Sequence, residues 1–125
     1  PKMSKDRNYG RNVKIFGGIA FKYTPTYTND PEAAARLAAA APDWIDVITT
    51  SGPKTGQAAP LEKLKAMKAA IPEGRELAVA SGVDMSNIAE VREAVDKILL
   101  ASSVEKSDGV FDKNKLRDIT EAAHQ

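Results

Sequence analysis

The chain has 125 residues, of which 42% are hydrophobic and 28% are charged, a composition typical of one globular domain with a single core. Its 18 basic and 17 acidic side chains leave a net charge of +1, which gives no electrostatic reason to expect a nucleic acid as partner. Cysteine is absent, so disulfides, thiolate catalysis and zinc sites built on cysteine are excluded.

The first segment, residues 1–12, is polar and basic, and we expect it to form a flexible arm. It lacks the apolar core of a signal peptide. The sequence also lacks an apolar run of about 18 residues, the length that spans a bilayer. We therefore expect a cytoplasmic protein without membrane insertion, with one domain over residues 13–125.

The first structural unit pairs an apolar run with a capped helix. The run from Val13 to Ala20 predicts a strand. Asp30 then precedes Pro31, the pattern of a helix N-cap followed by proline at the first helical position. A helix is predicted from Glu32 to Ala40.

The second unit repeats this order. The run from Trp44 to Thr50 predicts a strand that ends at Ser51, and a helix is predicted from Pro60 to Ala70. In that helix, apolar and long side chains recur every three to four residues, which predicts one buried face. The residues of this predicted face are Leu61, Leu64, Met67 and Lys68.

The third and fourth units are shorter. Leu77 to Ala80 predicts the third strand, and Ser86 is the predicted cap of a helix that buries Ile88, Val91 and Val95. Ile98 to Ala101 predicts the fourth strand. Asp112 is the predicted cap of the last helix, which carries Leu116, Ile119 and Ala123.

Four successive strand–helix units predict an α/β fold with parallel strands covered by helices. Two architectures fit: half of a (βα)₈ barrel, or a small open parallel sheet. Four strands cannot close a barrel, so a half-barrel leaves two open sheet edges. It would need a second copy of itself, a complementary half-barrel, or the remainder of a longer enzyme of which this chain is a fragment.

In parallel strand–helix folds, ligands bind beyond the carboxyl ends of the strands. Small and hydroxyl-bearing residues follow the predicted strands there, and such residues let backbone N–H groups and hydroxyls approach an anion. The predicted ligand-binding residues are Ser51, Gly52, Thr55, Gly56, Ser81, Gly82, Ser102 and Ser103. Turns of this composition are also common in the absence of a ligand. Two interpretations therefore stay open: the turns bind a phosphorylated small molecule, or they only connect strands to helices.

Other polar residues give no stronger prediction of a site. Lys22 follows the first strand and is the one catalytic candidate, although a solvated lysine is the more common occupant of such a position. The loop that begins at Ser51 lacks the spacing of a Walker A motif, which argues against a nucleotide triphosphatase. Asp84, Asp96 and Asp108 are too dispersed for a metal site, so no metal and no cofactor are expected.

The turn residues resemble those of the BtpA family, predicted (βα)₈-barrel proteins linked in cyanobacteria to photosystem biogenesis. The resemblance covers the region from about Val13 to Ala123. This region corresponds to the C-terminal half of the proteins in the family. It is carried by the run from Ser51 to Gly56, by Ser81-Gly82-Val83 with Asn87-Ile88, and by Ser102-Ser103. The resemblance implies a barrel-type protein that is either an enzyme or an assembly module.

Four positions differ from the family pattern. Gly18 and Ala20 stand where the family carries an acidic residue and a histidine, and Ala80 and Ala101 stand where glycines are expected. The first two changes remove the obvious groups for proton transfer. The sequence therefore predicts a phosphate-ligand-binding barrel protein and leaves open whether it is an enzyme on a phosphorylated sugar or nucleotide. The alternative is a non-catalytic assembly module.

Overall fold

The computed structural model describes residues 13–107 and 109–125; the predicted arm over residues 1–12 and Asp108 lie outside them. Four strands form one parallel sheet in chain order: β1 (Phe16–Gly18), β2 (Val47–Ser51), β3 (Glu76–Ala80) and β4 (Lys97–Leu99). A helix follows each strand in turn: α1 (Pro31–Ala39), α2 (Leu61–Ala70), α3 (Ile88–Ala94) and α4 (Lys113–Ala123). The predicted order of four strand–helix units is confirmed.

A short antiparallel hairpin, which the sequence did not predict, follows β4. A 3₁₀ turn at Ser102–Val104 leads into β5 (Glu105–Ser107), which pairs with β6 (Val110–Phe111). Both strands are too short to give a periodic pattern. The hairpin lies between the fourth strand of the main sheet and α4.

Most helix starts were predicted correctly from their capping residues. Asp30 accepts a hydrogen bond from the N–H of Ala33 at 2.9 Å, and Asp112 caps α4. The predicted cap at Ser86 is wrong, because Asn87 is the N-cap of α3 and the N–H and hydroxyl of Ser86 both donate to Asp84. Asp84 thus holds Ser86 in the loop before the helix.

The two faces of the main sheet have different surroundings. Alternate strand residues, including Ile48, Leu77 and Val79, pack under the helices in two apolar clusters. The opposite face carries no helix among the described residues. Its edge strands expose Phe16 and Leu99 to 41% and 42%.

One predicted core position in α2 is wrong. The fully buried long side chain of this helix is Lys63, whereas Lys68 is only partly buried and pairs with Asp96 at the surface. In α4, Ile119 is buried and Leu116 is 39% exposed. Nowhere in residues 13–107 and 109–125 is a helix both long and apolar enough to cross a membrane.

Candidate functional site

The loops beyond the carboxyl ends of the four strands converge on a cleft of about 470 Å³. Its size is within the range of about 300–1,000 Å³ that is usual for small-molecule sites. Seven of the residues singled out from the sequence line it: Lys22, Thr55, Gly56, Ser81, Gly82, Ser102 and Ser103. Ala80 and Ala101, the two alanines at expected glycine positions, line it as well. The parallel topology alone explains why these distant sequence segments meet.

Two serines that line this cleft carry hydroxyl groups with no hydrogen-bond partner in residues 13–107 and 109–125. The Oγ atoms of Ser81 and Ser103 are both buried from solvent and both unpaired. Leaving a buried hydroxyl unpaired costs about 1–3 kcal/mol. The two serines follow consecutive strands and line the same cleft, so their hydroxyls are candidate hydrogen-bond donors to a molecule bound there.

Backbone strain is concentrated at the same mouth. Within the described residues, three non-glycine residues have positive φ: Ala20 at 51°, Tyr23 at 62° and Ser81 at 72°. Each such residue costs about 1–2 kcal/mol relative to a right-handed conformation. All three are in the loops after β1 and β3, where ligands bind in folds of this type, and strain of this kind is often associated with a functional site.

The glycines of the mouth have a packing role that the sequence did not predict. A Cβ on Gly82 would be 2.4 Å from backbone atoms of Ala58, and a Cβ on Gly52 would be 2.2 Å from the carbonyl oxygen of Gln57. The turn after β3 and the turn after β2 therefore both press against the segment that leads into α2. Close backbone approach requires glycine at both positions.

Ser51 and Gly52 do not line the cleft, and a ligand contact for them stays a prediction. Ser51 is fully buried, and its hydroxyl accepts from the N–H of Lys22 at 2.8 Å and donates to the carbonyl oxygen of Gly52 at 2.9 Å. This side chain ties the loop after β1 to the loop after β2. Its structural task is to fix the position of Lys22.

Lys63 is a buried polar residue of this region that was not predicted from the sequence. Its Nζ atom is buried and donates to the carbonyl oxygens of Ser51 (2.8 Å) and Ala20 (2.9 Å) and to Oδ1 of Asn29 (3.2 Å). Burial lowers the pKa of the Lys63 ammonium from 10.5 to about 8. The ammonium holds the carboxyl ends of β1 and β2 together from the helix side, so Lys63 supports the mouth without facing the cleft.

The loop after β1 presents a cation and an aromatic ring at the mouth. Lys22 donates from Nζ to Oγ1 of Thr55 at 3.2 Å, and the phenol oxygen of Tyr23 accepts from the N–H of Thr55 at 3.3 Å. The hydrogen bonds from Thr55, assisted by the charges of Lys22 and Lys54, hold the pKa of the Tyr23 phenol below its usual value of 10.0. Tyr23 was not among the predicted site residues, since exposure and positive φ have no signature in one sequence.

The acidic group at the cleft belongs to a loop network. Hydrogen bonds from Ser86 lower the pKa of the Asp84 carboxyl, so Asp84 is anionic at neutral pH. Of the two positions that differ from the family pattern on the first strand, Gly18 ends β1 and Ala20 is buried. Among residues 13–107 and 109–125, three or more acidic or histidine side chains nowhere cluster in a way that could hold a metal ion.

Comparisons with known proteins agree with this architecture. Residues 2–125 match the model of the BtpA family. Among solved structures, the phosphoribosyl anthranilate isomerase of Thermus thermophilus superposes with a TM-score of 0.64 at 24% sequence identity, over 92% of this chain and 52% of the isomerase. No curated protein matches the chain.

The superposition decides between the two architectures that the sequence allowed. The isomerase is a (βα)₈-barrel enzyme, and this chain spans about half of its length. The four units therefore have the arrangement of half a barrel, which confirms the predicted fold. At this level of identity the likeness concerns the fold alone.

Proposed function

The chain belongs to the BtpA family, and from that premise we propose that it binds a phosphate ester, such as a phosphorylated sugar or nucleotide, in the cleft beyond the strands. The observation that carries the proposal is that two residues lining that cleft, Ser81 and Ser103, have buried hydroxyls without a hydrogen-bond partner among the described residues. Phosphate oxygens accept hydrogen bonds from several directions at once and would satisfy both donors.

The remaining cleft residues suit the same ligand. The small side chain of Ser102 and the absent one of Gly82 leave backbone near the anion, as at other backbone anion sites. Lys22 supplies the positive charge, and its Nζ is fixed by Thr55. Asp84, the anion at the cleft, would repel a phosphate but can accept hydrogen bonds from the hydroxyls of a sugar.

The name of the structural neighbour indicates a class of ligand to test first. That protein is named as an isomerase of phosphoribosyl anthranilate, so a barrel of this shape can accommodate a phosphorylated ribose. Binding is the step that we propose here. Lys22 and Asp84, the ionisable side chains that line the cleft, are the candidates for any proton transfer that accompanies binding.

The first test is ligand-dependent stability. A ligand that binds the folded chain alone raises its stability, by about 2.7 kcal/mol at a hundredfold excess over Kd. We expect ribose 5-phosphate at millimolar concentration to raise the thermal unfolding midpoint, with ribose plus sodium chloride at equal ionic strength as the control. Equal midpoints in the phosphate ester and in the control would contradict the proposal.

The substitution Ser81→Gly distinguishes a role of the Ser81 hydroxyl in ligand binding from a role in stabilising the fold. The change removes an unpaired buried hydroxyl and relieves the strain of the positive φ, and both effects stabilise the folded chain. Together they exceed the loss of stability that comes from the greater conformational entropy of glycine in the unfolded chain. We expect a gain of about 1 kcal/mol in unfolding free energy and weaker binding of ribose 5-phosphate. Denaturant titration and calorimetry measure the two effects.

The matched control for Ser81→Gly is Thr50→Val. The hydroxyl of Thr50 is buried and paired with the carbonyl oxygen of Ala20 at 3.2 Å, so its removal should cost about 1 kcal/mol. A loss of stability in Ser81→Gly like that in Thr50→Val would show that the Ser81 hydroxyl serves the fold and not a ligand.

The second candidate function is an assembly module, favoured by the open sheet. The outer edges of β1 and β4 are unpaired among the described residues, and Phe16 and Leu99 expose apolar surface beside them. A second cleft of about 440 Å³ runs along β4, with Val95 and Ile98 among its lining residues. A second copy or a complementary half-barrel would pair these edges.

Mass in solution tests the assembly module. Two half-barrels that pair their edges have twice the mass of the 13.4 kDa chain, and we expect light scattering at micromolar concentration to show it. If the folded chain is monomeric at every concentration, a second copy is excluded as the partner. The remaining candidate is then a complementary half-barrel of different sequence.

A further inference from the structure

Tyr23 combines features that folding does not explain. It is 74% exposed, so its ring gains little from burial. Its φ of 62° is rare for a bulky side chain and costs about 1–2 kcal/mol. Glycine or asparagine would occupy the same backbone position at lower cost. An exposed aromatic ring in this conformation therefore requires a reason other than stability of the chain.

The ring is held in place at the mouth of the cleft. Its phenol oxygen accepts a hydrogen bond from the N–H of Thr55 at 3.3 Å, and Thr55 lines the cleft. Nζ of Lys22 is 6.0 Å from the centroid of the Tyr23 ring. A cation at this distance lies at the limit of a cation–π contact. These two contacts fix one side of the ring and leave most of it open to solvent.

The distance across the mouth sets the size of a ligand that reaches both ends. Tyr23 follows β1, while Ser81 follows β3, two strands away. Neighbouring strands are about 4.8 Å apart, so the carboxyl ends of β1 and β3 are about 10 Å apart. Inorganic phosphate bound at the serines would not reach Tyr23. A phosphate ester with a ring at its far end would.

We propose that Tyr23 is a stacking platform for a planar ring, so that the ligand of this cleft is a ring-bearing phosphate ester of nucleoside monophosphate size. The inference rests on the phosphate site proposed above and adds a second subsite to it. The exposed face of Tyr23 stacks on the ring, and the ribose lies between Tyr23 and the phosphate. Stacking on an aromatic side chain accepts any base, because every base has a π-face.

Calorimetric affinities for three probes test the platform: inorganic phosphate, ribose 5-phosphate and AMP. In the unaltered chain we expect AMP to bind roughly 5- to 150-fold more tightly than ribose 5-phosphate, the range that stacking of one base contributes. Tyr23→Ala should abolish this preference and leave the affinity for inorganic phosphate unchanged. Tyr23→Phe should keep the preference, because the ring remains.

A control variant removes an exposed ring elsewhere. Phe111 is 56% exposed on the hairpin after β4, and Phe111→Ala should leave all three affinities unchanged. If AMP binds no better than ribose 5-phosphate, or if its advantage survives Tyr23→Ala, the platform is wrong while the phosphate site stands. If none of the three probes binds, the phosphate site and the platform are both wrong.

Discussion

Gly82→Ala is expected to destabilise the chain by about 2–5 kcal/mol, because the added methyl group would meet backbone atoms at a position with positive φ. A Cβ at this position would meet Cα and N of Ala58 at 2.4 Å, and φ is +77°. The left-handed conformation contributes about 1–2 kcal/mol. Displacing a backbone segment contributes a further 1–3 kcal/mol. Equilibrium denaturation in urea measures the sum.

Gly74→Ala is the matched control for this substitution. Gly74 also has positive φ, +94°, but a Cβ there would have no atom within 4 Å. Its replacement should therefore cost only the conformational part, about 1–2 kcal/mol. Equal losses in the two variants would mean that the turn after β3 moves freely away from Ala58, and that Ser81 is not held rigidly over the cleft.

Lys63→Met is expected to cost about 2–4 kcal/mol at pH 7. The change removes three hydrogen bonds donated by an ammonium and leaves the carbonyl oxygen of Ser51 without that donor. The loss is moderated because methionine has no buried charge to desolvate. Lys65→Met on the same helix is the control, since exposed Lys65 only pairs with Glu62 at 3.8 Å and should cost about 0.5 kcal/mol or less.

The contribution of Lys63 depends on pH with a definite sign. Its pKa is about 8 in the folded chain against 10.5 for a free lysine, so between these values the unfolded chain binds the extra proton and stability rises with pH. The stability difference between the unaltered chain and Lys63→Met should widen by up to about 1.4 kcal/mol per pH unit across this window. Chemical denaturation at pH 7, 9 and 10.5 measures it, and a difference that narrows would contradict the assignment.

The fold was predictable from the sequence because its signals are local. Asp30 and Asp112 mark helix starts through contacts within three residues of themselves. The apolar runs that became β2 and β3 are buried on both faces and are therefore continuous. Parallel topology then brought the loop after each strand to the same end of the sheet. This is why seven predicted site residues share one cleft.

What could not be predicted depends on contacts between distant segments. Lys63 is buried because the carbonyl groups of Ala20 and Ser51, more than ten residues away in the chain, provide its acceptors. Gly52 and Gly82 are fixed by their approach to residues 57–58 and not by their own turns alone. The cytoplasmic location, the association of half-barrels and the identity of the phosphate ester remain predictions.

The central claim, a phosphate ester held at the mouth of the half-barrel, is tested most directly by an amide NMR titration of the chain with AMP. Satisfying the hydroxyls of Ser81 and Ser103 should shift the amides of residues 81–83 and 102–104, together with those of Lys22 and Thr55. The amides of α4 should stay in place. Saturable shifts confined to this set are the predicted result. Shifts spread over the surface, or none at millimolar AMP, would contradict the account.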